Sequence, residues 1–142
     1  MIIVDSREQK PYWTGSKAAK TALLVGDYTS FALHNKYHIE RKSLEDLYGT
    51  ITKGHIRFKK EIIRAKHYKI ILEVVVEGTK KAFEYKKFYK GNERKVEGTT
   101  LIKIINSIQR NHGLQIHWCV SRAAAKRKVY HLLKSRDKGL TL

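Results

Sequence analysis

The sequence predicts an α/β fold, a mixed central β-sheet flanked by helices, built as one domain over residues 1–142. Three observations carry this. Short runs rich in β-branched and aromatic residues alternate along the chain with segments of helical apolar spacing. Apolar residues make up 42% of 142 residues, enough for one core and too short a chain for two. No internal repeat and no linker divides the chain.

Residues 2–4 read as a buried strand ending at Asp5, and residues 16–22 as a short helix. Residues 23–31 and 37–42 read as two strands joined in a hairpin through Leu33, His34, Asn35 and Lys36. Pairing Leu33 with Lys36 sets Asp27 opposite Lys42. Ser43 is a good N-cap for a helix carrying Leu44 and Leu47, and Gly54 breaks it. A second helix begins near His55, with Phe58, Ile62 and Ala65 inward and Arg57, Lys60 and Arg64 as a basic stripe. Residues 69–77 form a near-continuous apolar strand, which implies burial on both faces. Residues 78–98 are dominated by lysine and tyrosine, including Lys86, Lys87 and Lys90. In structure they read either as a mobile binding loop or as a short hairpin or helix, and in role either as a segment for phosphate contact and base stacking or as a solvated charged loop. Thr99 or Thr100 caps a helix with Leu101, Ile104, Ile105 and Ile108 inward, ending at Gly113. Residues 115–120 are a further strand, and Ser121 caps a final basic helix.

The charge is uneven. The chain has 30 Lys and Arg against 13 Asp and Glu, a net +17. Residues 1–46 hold seven bases against six acids, so the remaining 23 bases and seven acids give residues 47–142 a net +16. Such an excess calls for a polyanion, and nucleic acid is the obvious one. The absence of a long apolar run or a signal-like start argues against a membrane partner and for a soluble intracellular protein, whether in the cytoplasm, on the nucleoid or in a host cell. One cysteine, Cys119, excludes an internal disulfide and a multi-cysteine zinc site.

Acids repel phosphate, so the concentration of Asp5, Asp27, Glu40 and Asp46 in a DNA binder needs a reason. Taken singly, each acid fits a cap or an ion pair. Taken together, they suit a metal site beside a phosphate-binding surface. Phosphodiester hydrolysis needs a hard cation, and magnesium takes one or two protein carboxylates with water and substrate phosphate. Glu40 and Lys42 point to the same face because strand side chains alternate. Lys42 then suits orienting the water and stabilising developing negative charge.

The fragments Val4-Asp5-Ser6-Arg7-Glu8, Gly26-Asp27-Tyr28 and Glu40-Arg41-Lys42-Ser43-Leu44-Glu45-Asp46 together resemble the nuclease domain of the XPF-type (ERCC-type) structure-specific endonucleases, within the PD-(D/E)xK superfamily. The resemblance implies a restriction-endonuclease-like fold and Asp27 and Glu40 as ligands of magnesium or manganese. Asp5 and Asp46 would assist, Arg41 and Lys42 would lie at the scissile phosphate, and Arg7 and Glu8 would support the site. It also implies cleavage of branched DNA such as flaps, forks or Holliday-type junctions, in repair or recombination, and pairing of two copies. Relatives often carry helix-hairpin-helix or helicase modules, which residues 1–142 leave no room for. A non-catalytic DNA-binding module of nuclease-like fold is the alternative.

Overall fold

The computed structural model describes residues 1–86, 89–90, 93–94 and 96–141. In chain order the strands and α-helices are β1 (Ile2–Asp5), β2 (Ala18–Thr21), β3 (Tyr28–Ser30), β4 (Tyr37–Ser43), α1 (Leu44–Ile51), α2 (His55–His67), β5 (Ile71–Glu77), α3 (Lys80–Tyr85), β6 (Tyr89–Lys90), β7 (Glu93–Arg94), α4 (Gly98–His112), β8 (Gln115–Cys119) and α5 (Arg122–Thr141). Among the described residues, six strands make one sheet in the order β2-β1-β3-β4-β5-β8, and β6 pairs with β7 apart from it. The sheet is mixed: β3 runs antiparallel to β1 and β4, whereas β4, β5 and β8 are parallel.

Helices cover the sheet unequally. One core lies under α1, α2, α3 and α4, built on Leu47, Phe58, Ile62, Val74, Phe83, Leu101 and Ile105. The other lies under α5, built on Tyr28, Tyr37, Ile39, Val75, Val129 and Leu133. β5 supplies Val74 and Val76 to the first and Val75 to the second, so its apolar run is buried on both sides, as the sequence implied. Each such side chain contributes about 1.5–3 kcal/mol when fully buried.

Local signals set the helix ends. Ser43 Oγ accepts from the Asp46 amide at 3.1 Å at the start of α1. Gly113 closes α4 in the left-handed region, φ 63°. Ser121 Oγ accepts from the Ala124 amide at 3.1 Å at the start of α5. α4 begins one residue before the expected threonines, with Glu97 at its N-cap.

Two expectations are corrected. Residues 16–22 are not a helix: after one 3-10 turn at Gly15–Lys17, the chain extends as β2 and pairs parallel to β1. So short a segment cannot recover the cost of helix nucleation, whereas the exposed edge of β1 satisfies its backbone directly. The β3–β4 connection is not a two-residue hairpin. Residues 31–36 form a longer turn in which Lys36 and Tyr37 both donate to the Leu33 carbonyl and Asn35 takes φ 62°. Tyr28 therefore pairs with Ile39, and Asp27 comes beside Glu40 instead of Lys42. The shift is by two positions, so every side chain keeps its face. No helix among the described residues is long and apolar enough to cross a membrane.

Candidate active site

β4 divides the chemistry because its side chains alternate. Tyr37, Ile39 and Arg41 face α5, whereas His38, Glu40 and Lys42 face α1 and α2. Asp27 reaches the Glu40 side through Gly26. That glycine has φ 75°, and a Cβ there would meet the Ile39 carbonyl at 3.1 Å and His38 Cβ at 3.2 Å, so the position needs both its conformation and its small size. His38 fixes the approach. Its Nε2 accepts from the Asn35 amide at 2.9 Å, so Nδ1 carries the hydrogen donated to the Val25 carbonyl at 2.7 Å. Burial pushes its pKa down, which keeps the ring neutral.

Asp27 and Glu40 stand close enough for each to perturb the other. Asp27 Oδ2 also accepts from the Arg41 amide at 2.7 Å, and the Asp27 amide donates to the Ile39 carbonyl at 2.8 Å. Burial raises the pKa of both acids, and the nearby Asp27 charge raises Glu40 further, well above the ordinary range. Lys42 opposes the rise at both. Each carboxyl disfavours the other's charge, and the burial of Glu40 adds to that.

Glu61 is the member that sequence reasoning missed. Its Oε1 accepts from the Gly26 amide at 3.1 Å, and its charge adds to the rise at Glu40. The available signal was its composition, because it is the one acid in a helix otherwise rich in Lys and Arg. Lys42, Asp46, Arg57 and Glu61 line a cleft of about 340 Å³ beside the pair. Arg57 of the basic stripe thus reaches the site, while Arg64 donates to the Leu24 carbonyl at 3.3 Å and Lys60 is exposed.

Other expected residues are occupied elsewhere. Asp5 is buried, and its carboxylate accepts from Arg7 Nη2 and Nε at 3.0 and 3.1 Å and from the Leu23 amide at 2.8 Å. It holds the turn after β1, and Arg7 in turn lies within the field of Asp27 and Glu61. Arg41 points away from the acid pair. Its guanidinium donates to Glu8 at 2.9 and 3.0 Å and to Glu77 at 3.1 Å and is 8% exposed, so it is an ion-pair centre under α5 and not a free phosphate ligand. Glu8 belongs to that cluster too. Lys86 pairs with Glu45 at 3.0 Å at the α1 end. Lys87 and the side chain of Lys90 lie outside the described residues.

A mixed sheet that brings a Gly-Asp turn beside the Glu-x-Lys pair of the next strand is the architecture of a nuclease domain of the PD-(D/E)xK type. The chain belongs to the ERCC4 domain family, which matches residues 4–132. Among solved structures it is similar to XPF from Aeropyrum pernix, at 17% identity over 99% of this chain and 66% of that one, with a TM-score of 0.70. It is likewise similar to XPF from Aeropyrum pernix in complex with DNA, at 20% identity over 97% and 65%, with a TM-score of 0.67. The chain spans about two thirds of the length of these neighbours, and the likeness is one of fold. No curated protein matches the sequence.

Proposed function

We propose that this domain is a divalent-metal-dependent endonuclease that hydrolyses phosphodiester bonds in branched DNA. The carrying observation is the half-buried Asp27 next to the buried Glu40, with Lys42 on the same face of β4. Two adjacent carboxyl groups are a hard-oxygen donor set of the kind magnesium or manganese takes. Bound there, such an ion supplies polarisation of the phosphoryl oxygen and acidification of the attacking water.

The chain's own residues do the remaining work. Lys42 orients the water and offsets negative charge that develops on the phosphoryl oxygens. Arg57, Lys60 and Arg64 on α2 hold the phosphates that flank the cleft. Asp46, whose amide caps α1 through Ser43, sits at the cleft mouth and is suited to accept a hydrogen bond from bound water. Asp5 acts by fixing Arg7 near the acids, and Arg41 by holding β4 through Glu8 and Glu77. The net +17 and the DNA-bound state of the A. pernix neighbour support DNA as the partner. Two copies would set two sites across a branch point, and sedimentation with and without a four-way junction checks that pairing.

A non-catalytic DNA-binding module is the second reading. It is favoured by one observation: among the described residues no group of three or more His, Cys, Asp and Glu side chains is arranged to hold a metal ion. Labelled flap, fork, four-way and linear DNAs incubated with magnesium, manganese or EDTA separate the two. The nuclease reading expects metal-dependent cleavage that falls by orders of magnitude in Asp27→Asn and Glu40→Gln. Binding of those variants in EDTA should persist or tighten, because a carboxylate facing phosphate has been neutralised. If the wild type cuts none of the DNAs with either metal, or the variants cut equally well, the binding-module reading takes over.

A further inference from the structure

The surface of α5 lies on the other side of the sheet from the acid pair, and the cleavage reading makes no use of it. Lys126, Tyr130 and Lys134 are spaced four residues apart, so they form one stripe along the helix, about 6 Å between neighbours. Val129 and Leu133, on the adjoining stripe of the same helix, anchor it in the core. Trp13, carried by the loop between β1 and β2, stands beside this stripe, its ring centroid 6.5 Å from that of Tyr130. Lys126 Nζ lies 5.7 Å from the centre of the Trp13 ring, and Lys134 Nζ lies 5.6 Å from that of Tyr130. The two rings separate two open clefts. One, of about 750 Å³, is lined also by Trp118, Arg127 and His131. The other, of about 440 Å³, is edged by Lys17, Lys134 and Asp137.

The position of Trp13 is built. Tyr12 and Tyr28 meet it edge-on at 5.9 and 5.6 Å, and Arg122 holds the same loop by donating to the Lys10 and Pro11 carbonyls at 2.8 and 3.3 Å. Tyr130 is 47% exposed. The half-buried Trp13 ring and the exposed Tyr130 ring, set among cations beside open clefts, fit a chain that offers flat π-faces at intervals along a line of negative charge. Single-stranded nucleic acid has that chemistry. An apolar partner would leave Lys126, Arg127 and Lys134 desolvated, and a second copy docked face to face would bring α5 cations against α5 cations.

We propose that the Trp13–Tyr130 ridge of α5 is a binding surface for single-stranded DNA, with bases stacked on the two rings and phosphates held by Lys126, Arg127 and Lys134. The surface goes beyond the cleavage reading and does not depend on it. It would hold an unpaired arm on one side of the sheet while the acid pair faces the other.

The test uses short fluorescent oligo(dT) and the full chain in EDTA, with Glu40→Gln in parallel so that any loss of cleavage has no bearing on binding. Oligo(dT) should quench tryptophan fluorescence in wild type and in Trp118→Phe, where Trp13 is the reporter. Tyr130→Ala should weaken oligo(dT) binding on the order of tenfold. Lys126→Ala with Lys134→Ala should weaken binding and flatten its salt dependence. Trp13→Ala removes contacts to Tyr12 and Tyr28 and can unfold the loop, so Tyr130 and the lysines carry the test. Absence of quenching, or unchanged affinity in Tyr130→Ala and in the double lysine variant, overturns the proposal. So does sedimentation showing a dimer in the wild type that Tyr130→Ala dissociates, because the ridge is then a subunit interface.

Discussion

Two groups of acids straddle β4 and are balanced in opposite ways. Under α5, Glu8 and Glu77 close on Arg41, and Glu77 also takes Arg122 at 3.1 Å and the Tyr12 hydroxyl at 2.5 Å. Burial works against the charge of Glu8, but hydrogen bonds from Arg41 and from the Lys10 and Gln9 amides outweigh it and draw its pKa below the ordinary range. On the other side of the same strand, Asp27 and Glu40 face each other, and Lys42 only moderates burial and mutual repulsion, so both pKa values rise. The first group is complete and holds β4 to the loop after β1. The second is short of positive charge in the protein alone. Neighbouring residues, Glu40 and Arg41, thus serve opposite ends because one strand step turns them to different surroundings.

The largest expected effect comes from breaking the complete group. Arg41→Met leaves Glu8 buried without its cation and Glu77 with Arg122 alone, which should cost about 3–5 kcal/mol in urea unfolding. A loss below about 1 kcal/mol would make the group no stronger than a surface pair. Gly26→Ala comes next. A left-handed alanine pressed against the Ile39 carbonyl should cost about 1–3 kcal/mol and disturb the Asp27–Glu40 contact, read as a lower Tm together with reduced cleavage.

Glu40→Gln should move stability the other way. In EDTA at neutral pH it relieves a buried acid and should gain on the order of 1 kcal/mol. Magnesium should raise the Tm of wild type and leave that of the variant unchanged. The pH profile follows with opposite signs on the two sides. The raised Asp27 and Glu40 pKa values contribute stability that is full below their unfolded values and lost as pH rises through their folded ones. Glu8 contributes stability that is present above its unfolded value and lost as pH falls through its lowered one. Metal-free wild type should therefore lose stability on both limbs, and Glu40→Gln should flatten the upper limb alone. The smallest effect is Ser43→Ala, which removes the α1 cap and should cost about 1 kcal/mol in thermal unfolding.

Much of this was legible beforehand because it is local. Strand alternation alone puts Glu40 and Lys42 on one face and Arg41 on the other, a consequence that bears directly on the expected place of Arg41 at the phosphate. Ser43, Gly113 and Ser121 act within a few residues of themselves, so their caps were readable. β2 was missed because its stability comes from the edge of β1, not from its own sequence.

By itself, then, the sequence determined the alternation of strands and helices, the caps, the apolar faces and the face on which each β4 side chain stands, since those follow from covalent geometry and neighbours a few residues away. The tertiary structure decided which charge meets which. Arg41 finds Glu8 and Glu77 across 33 and 36 residues, and Gly26 finds Glu61 across 35. Coulomb and hydrogen-bond energies depend on separation in space, and only the packed sheet brings those segments within 3 Å or so of one another.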